Sequence, residues 1–480
     1  MIQTARQLEI SSIIHFDGLA YGAYTKDDIG FSQFFYDATS ASLRYVPAYK
    51  RFIFYNGKYW EKDDQDNTRV NEAIKIFVAE IIKQVPYSED KDSYYKHFAK
   101  YKRQGKRASV VTDIKSINPI VPDYDGVLPF DKDGYLLNLE NGTLNLRTGK
   151  LLPHDPEDLI THISAVEWNP EADATVWNKF ISDIMCENEN YIHLLQQACG
   201  YSLSTDTFRE CFFICDGPTA RNGKGTLELV MSTLLGSYAQ AANPYVFASR
   251  KYGGQEKLGD DVAMLAGSRY VAVNEPEEGM VLNASLIKMM SGFDKIQACF
   301  KFENTFSFRS TFKVWFQANH RPQISDQSVF DSNRVILIPF EKHFEGETLD
   351  PGMKARLQEP ENLSAALAWM LKGYQEVYKR QDIEVPEEVK ARVDEYRRDN
   401  DKIADFTENC IITCPGEKIK FTELYKVFSL FCRDANMAPL SKKRFERLLS
   451  GDYLVKDFHH QKTVFDVKFL PEADEYLRKL

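Results

Sequence analysis

The chain has 480 residues, of which 43% are hydrophobic, and a formal net charge of −10. At roughly 150 residues per domain this length asks for about three cores. The acidic balance argues against a protein that coats nucleic acid through a basic surface, and no run approaches the ~20 apolar residues of a membrane span. The polar start Met1-Ile2-Gln3-Thr4 is no secretory signal, and the eight cysteines are scattered as reduced thiols are. A soluble, cytoplasmic protein without a membrane partner is therefore expected.

In chain order, two hairpin signals come first. Asn56-Gly57 lies between the β-prone runs Phe52–Tyr55 and Lys58–Trp60, and Asn141-Gly142 between Leu137–Leu139 and Thr143–Leu146. Val70 to Lys83 between them has helical spacing, which makes the first 160 residues a mixed α+β unit with an aromatic core. From Thr175 to Ser204 the period is helical, with Trp177, Phe180, Ile181 and Ile184 on one face. Strands then alternate with helices from Cys211 to Phe340, the pattern of a parallel sheet that carries its ligand at the strand ends. A helix is expected over 362–378, and the charged stretch 382–401, with Pro386, reads as a linker. The last 80 residues read as three helices and a hairpin, with Ser441 capping Lys442-Lys443-Arg444 and two strands between Val455 and Leu470.

The chemistry concentrates after Cys211. Phe212 to Asp216 is a buried strand, Gly217 to Gly223 a glycine-bracketed loop, and Lys224 opens an amphipathic helix that Gly236 ends. A triphosphate needs converging backbone N–H groups, close approach at glycines, a lysine on the β and γ phosphates and a hydroxyl near magnesium. Gly217, Asn222, Gly223, Lys224, Gly225 and Thr226 supply these. Five residues separate Gly217 from Gly223 where four are usual, and the magnesium hydroxyl falls to Thr226. Tyr270 to Asn274 is a second buried strand ending at Glu275, the expected water-activating acid and, with Thr226, a magnesium contact. A third strand delivers Asn319, an amide placed to sense the γ-phosphate, and Arg334 precedes a fourth, where it can reach a neighbouring subunit's phosphate.

With these residues in place, the chain resembles superfamily 3 DNA helicases of the phage and plasmid primase-helicase type, related to the poxvirus primase-helicase. The resemblance rests on Asn141-Gly142-Thr143-Leu144-Asn145-Leu146-Arg147-Thr148-Gly149 with Pro153-His154-Asp155-Pro156 and on Gly200-Tyr201-Ser202-Leu203. It continues through Asn222-Gly223-Lys224-Gly225-Thr226, Asn274-Glu275-Pro276, Gln317-Ala318-Asn319-His320, and Arg334 ahead of Leu337-Ile338-Pro339-Phe340.

The resemblance implies a homo-hexameric ring that hydrolyses ATP with Mg2+ at subunit interfaces and drives single-stranded DNA through its pore, unwinding forked DNA during replication of a mobile element. A separate primase or polymerase is the implied partner. An ATP-switched origin-binding factor is the alternative. Lys301 and Phe302, on the implied pore hairpin, would meet DNA, as would Lys442, Lys443 and Arg444 on the recognition helix. The implied organisation is a mixed α+β domain (1–160), a helical collar bundle (161–208), an α/β P-loop core of AAA+-like type with a parallel sheet (209–380), a linker (381–400) and a winged helix (401–480).

Overall fold

The computed structural model describes residues 10–85, 91–217, 220–249, 259–301, 305–324, 326–434 and 439–479. The chain divides into two compact units, 1–322 with 334–386 and 323–333 with 387–480. No helix among the described residues is long and apolar enough to cross a membrane.

The first unit begins with an aromatic core. Phe31, Phe34 and Phe35 on the helix Asp28–Thr39 pack on Phe77 of the helix Thr68–Gln84, and Phe31 stacks on Tyr101 with 3.6 Å between ring centroids. A small antiparallel sheet follows, made of β1 (Leu43–Val46), β2 (Arg51–Tyr55) and β3 (Trp60–Lys62), with Asn56-Gly57 in the expected turn. A second has β4 (Leu136–Leu139), β5 (Gly142–Asn145) and β6 (Lys150–Leu152). One signature residue, His154, is tied to this sheet through Asn138. Buried Asn138 donates to the carbonyls of Lys58 and His162, while its Oδ1 lies 2.8 Å from His154 Nδ1. Burial lowers the His154 pKa, favouring the neutral ring that this amide contact suits.

Five parallel strands form the central sheet: β7 (Phe212–Asp216), β8 (Ala239–Ala242), β9 (Tyr270–Asn274), β12 (Lys313–Ala318) and β13 (Val335–Pro339), in the order β13-β7-β12-β9-β8. The short hairpin β10 (Lys295–Ala298) and β11 (Phe306–Arg309) stands apart from it. The inner strands are apolar along nearly their whole length because helices cover both faces of a parallel sheet, so both side-chain sets are buried. Helix Glu189–Tyr201 meets helix Pro360–Arg380 through glycines. A Cβ on Gly200 would lie 2.3 Å from the Tyr374 nitrogen, and one on Gly373 2.2 Å from the Gln196 carbonyl oxygen. Gly200 of the Gly-Tyr-Ser-Leu signature is thus a contact point between backbones.

The second unit has the element order helix Lys402–Cys410, β14 (Ile411–Lys420), helix Phe421–Asp434, helix Lys442–Asp452, β15 (Val455–Phe458) and β16 (Gln461–Phe469). Strands β14, β16 and β15 form one antiparallel sheet. Its core holds Phe406, Leu424, Phe428, Phe445 and Val464, and Ser441 caps the third helix through the Arg444 N–H. Two sequence expectations change here. Strand β14 replaces a stretch expected to carry no strand, and 382–401 is largely a helix, Glu387–Asp399. Pro386 stands just ahead of that helix, acids fill its first turn and Arg397 and Arg398 its last, which suits both ends of the helix dipole. Tyr396 packs edge-on against Phe330 at 5.2 Å, Arg397 pairs with Asp331 at 2.6 Å, and Asn400 accepts the Ile324 N–H at 2.7 Å.

At the amino-terminal end of the central sheet, Lys313 is buried. Its ammonium donates to the carbonyls of Ser204 (2.7 Å) and Thr311 (3.3 Å) and lies over the Tyr201 ring. Burial pushes its pKa from 10.5 down to about 7. Between those values the unfolded chain holds a proton that the folded chain lacks, so this group makes stability rise with pH across that window. From pH 7 to 9 the wild-type protein should gain about 2 kcal/mol that Lys313→Met does not. Unfolding midpoints at the two pH values measure the difference, and equal pH slopes for the two proteins would refute it.

Candidate nucleotide site

The site is built at the carboxyl ends of the parallel strands. Register pairs Asp216 with Ala318 and Gln317 with Asn274, so Gly217, Asn319 and Glu275 leave the sheet side by side. Gly223 turns the chain into the helix Lys224–Leu235 with φ +91°, and a Cβ there would meet Ile184 Cγ2 at 2.4 Å; only glycine fits. Lys224 is 7% exposed and its ammonium donates to Gly217 O (2.9 Å), Ala318 O (2.7 Å) and Asn319 Oδ1 (2.9 Å). Burial lowers its pKa, with Cys215 and Asp216 acting the other way. Three oxygens around one buried cation mark a place where anionic oxygens are welcome.

Glu275 is exposed, its N–H donates to Gln317 O at 3.2 Å, and its backbone is left-handed at φ +47°. A carboxylate residue held in that sparsely populated region, tied to the strand that bears Asn319, is the kind of strain that gathers at working sites. Asn274 is occupied elsewhere, donating to Glu228 Oε1 at 2.8 Å.

Beside the loop opens a cleft of about 650 Å³. It is lined by Asn222, Gly223, Gly225 and Thr226, by the apolar side chains of Phe180, Phe344, Leu349 and Met353, by Lys179, Arg221, Lys342 and Lys354, and by the carboxylates of Asp350 and of Asp183, which pairs with Lys179 at 2.9 Å. A Cβ on Gly225 would meet nothing within 4 Å, so protein packing does not demand glycine there. An apolar wall, cationic side chains and an open glycine, next to the loop that leads into the buried Lys224, fit a nucleoside triphosphate; Thr226 lines this cleft, whereas Glu275 does not. Sequence reasoning did not reach the wall, because Phe180 reads as core, Leu349 lies in an irregular segment and Met353 opens a helix of a single turn, Met353–Arg356.

Arg334 sits at the other end of the sheet. Its neighbour Val335 pairs with Phe212, at the start of β7, about 15 Å along the strand from the Lys224 edge. Its guanidinium pairs with Glu210 and donates to Ser291 Oγ (2.8 Å) and Lys288 O (3.2 Å). It cannot serve the phosphate cleft of its own chain.

The residues expected to meet DNA are dispersed. Lys301 is exposed, and its backbone N–H donates to Asp260 Oδ1 at 2.6 Å. Phe302 lies outside the described residues. Phe300 stacks on Phe306 with Lys62 over its ring, so that aromatic is engaged in packing. Lys442 and Lys443 are exposed and Arg444 is half-buried on the helix Lys442–Asp452 of the second unit.

Comparison with known proteins places two segments. Residues 32–186 match the family described as D5 N terminal like, and 398–475 the one described as Poxvirus D5 protein-like. The sheet lies between them. "Putative helicase L207/L206" of Acanthamoeba polyphaga mimivirus is 24% identical over 339 residues, covering 65% of this chain and 34% of that protein. "Putative helicase 022R" of Frog virus 3 (isolate Goorha) is 23% identical over 224 residues, covering 44% and 23%. The chain thus spans about a third or less of these relatives. The apo structure of the NrS-1 C terminal region (305–718) aligns with a TM-score of 0.46 at 10% identity, covering 91% of this chain and 99% of that one. A D5 N-terminal-like segment thus lies ahead of the parallel sheet and a poxvirus D5-like segment behind it, which bears out the resemblance of its motifs to the poxvirus primase-helicase type.

Proposed function

We propose that this chain is the motor of a replicative DNA helicase, which hydrolyses ATP between neighbouring copies in a hexameric ring and draws single-stranded DNA through it. The observation that carries this reading is the meeting of Lys224 and Asn319 at one sheet edge, with Glu275 on the adjoining strand. The helicase names of the viral relatives support it.

In this reading Lys224 exchanges its three protein oxygens for phosphate oxygens, losing little because the new partners carry full charge. Asn319, released by the lysine, hydrogen-bonds the γ-phosphate and orients the attacking water. Glu275 takes that water's proton, its carboxylate already facing solvent. Thr226 and Glu275 would hold the magnesium, which would neutralise charge at the phosphates. Arg334 completes the site of the next copy, which requires its pairing with Glu210 to open. The second unit's α-β-α-α-β-β order is that of a winged helix, with Lys442, Lys443 and Arg444 on the helix offered to DNA and Lys301 on the hairpin in the pore.

Lys224→Ala and Arg334→Ala should each abolish ATPase activity stimulated by single-stranded DNA. Mixed one to one, the two variants should recover roughly a quarter of the wild-type rate, because random assembly gives one interface in four an intact lysine facing an intact arginine. No recovery on mixing would remove Arg334 from the site. Displacement of a strand from a forked substrate tests the motor itself; ATP-dependent DNA binding without displacement would favour the origin-binding alternative.

The two loop glycines should fail differently. Gly223→Ala should destabilise the first unit by about 1–3 kcal/mol, through positive φ and the clash with Ile184. Gly225→Ala, on an open helical turn, should melt no lower than wild type yet bind an ATP analogue at least ~10-fold more weakly, since its methyl enters the cleft. Thermal melts and equilibrium titration read the two effects.

A further inference from the structure

Arg321 lies two residues beyond Asn319, on the turn that leaves β12. Its guanidinium grips Asp216 with both arms of its fork, Nε to Oδ1 at 3.0 Å and Nη2 to Oδ2 at 2.6 Å, and the two side chains are sheltered, 23% and 14% exposed. Asp216 ends β7, pairs in register with Ala318 and Pro339, and directly precedes Gly217, whose carbonyl accepts from Lys224. An acid at that point works against the triphosphate reading. A sheltered carboxylate beside the phosphate loop repels incoming phosphates, and solvent screens it poorly.

Something must also hold Asn319 in place during binding. In the free chain Lys224 ties the Asn319 turn to the loop through Ala318 O and Asn319 Oδ1. Phosphate takes those donors away. The fork between Arg321 and Asp216 spans the same two segments and does not involve the lysine.

We infer that Arg321 is a positioning residue for ATP hydrolysis, which masks the Asp216 carboxylate from the entering phosphates and pins the Asn319 turn to the phosphate loop when Lys224 changes partners. The inference rests on the ATPase reading above. It separates two jobs: masking needs only a positive charge, whereas pinning needs the planar, two-toothed geometry that a lysine lacks.

The test is steady-state ATPase kinetics on the full chain with single-stranded DNA, alongside thermal melts. Arg321→Gln should raise KM for ATP at least ~5-fold and lower kcat at least ~10-fold. Arg321→Lys should hold KM within about twofold of wild type but lose kcat several-fold. Adding Asp216→Asn to Arg321→Gln should return KM to within about twofold of wild type and leave kcat low. An Arg321→Gln protein with wild-type kcat and KM, or a double variant whose KM stays raised, would overturn the inference. Should Arg321→Gln fail to fold, Arg321→Lys and the double variant decide, and wild-type kcat in both overturns it. Lys224→Ala, run in parallel, separates the two levels. If wild type does not hydrolyse ATP, or Lys224→Ala remains active, the motor reading falls; if Lys224→Ala is dead and the Arg321 variants behave as wild type, only the role of Arg321 falls.

Discussion

The structure turns on a buried ammonium group. Lys224 is held almost out of water, and the cost of placing a cation there is met by three oxygens, from its own loop and from the neighbouring strand. That demand fixes much else. The loop must bend at Gly223 to aim the lysine inward, β12 must lie next to β7 so that Ala318 and Asn319 reach it, and both strands must stop at the same level. The cage rests on β7 and β12, two buried inner strands of the order β13-β7-β12-β9-β8, which give it a rigid floor.

Much of this was legible in the sequence because parallel strands covered on both faces read as unbroken apolar runs. Phe212–Cys215, Tyr270–Val273 and Val335–Ile338 announce themselves, as do the glycines around Lys224. Strand β14 did not. It carries Pro415-Gly416, Gly416 has φ +85°, and the pairing with β16 shifts between Thr413 and Lys418, so its local signal is that of a turn. The helix Glu387–Asp399 hid for another reason: it buries Val389 and Tyr396, one residue in each of two separated turns, too thin an apolar stripe to stand out among its charges.

The grip of Arg321 on Asp216 lies beyond pattern reading, because the two are 105 positions apart and nothing local to the end of one strand or to the turn after another announces the pairing. The signature around Asn141 and His154 shows the converse. Its residues carry the family resemblance, yet Asn138, which the motif does not include, is the hub that receives His154 and ties β4 to the carbonyls of Lys58 and His162.

One consequence concerns how the two units are stitched together. The polypeptide passes between them three times, at 322/323, 333/334 and 386/387, and the inserted loop 323–333 begins four positions after Asn319 and ends one before Arg334. Cutting the gene after codon 386 would strand that loop: Phe330 would lose the ring of Tyr396, Asp331 its guanidinium, and the Ile324 amide its acceptor. A truncation meant to remove only the carboxyl-terminal unit therefore unmoors the stretch of backbone that joins Asn319 to Arg334.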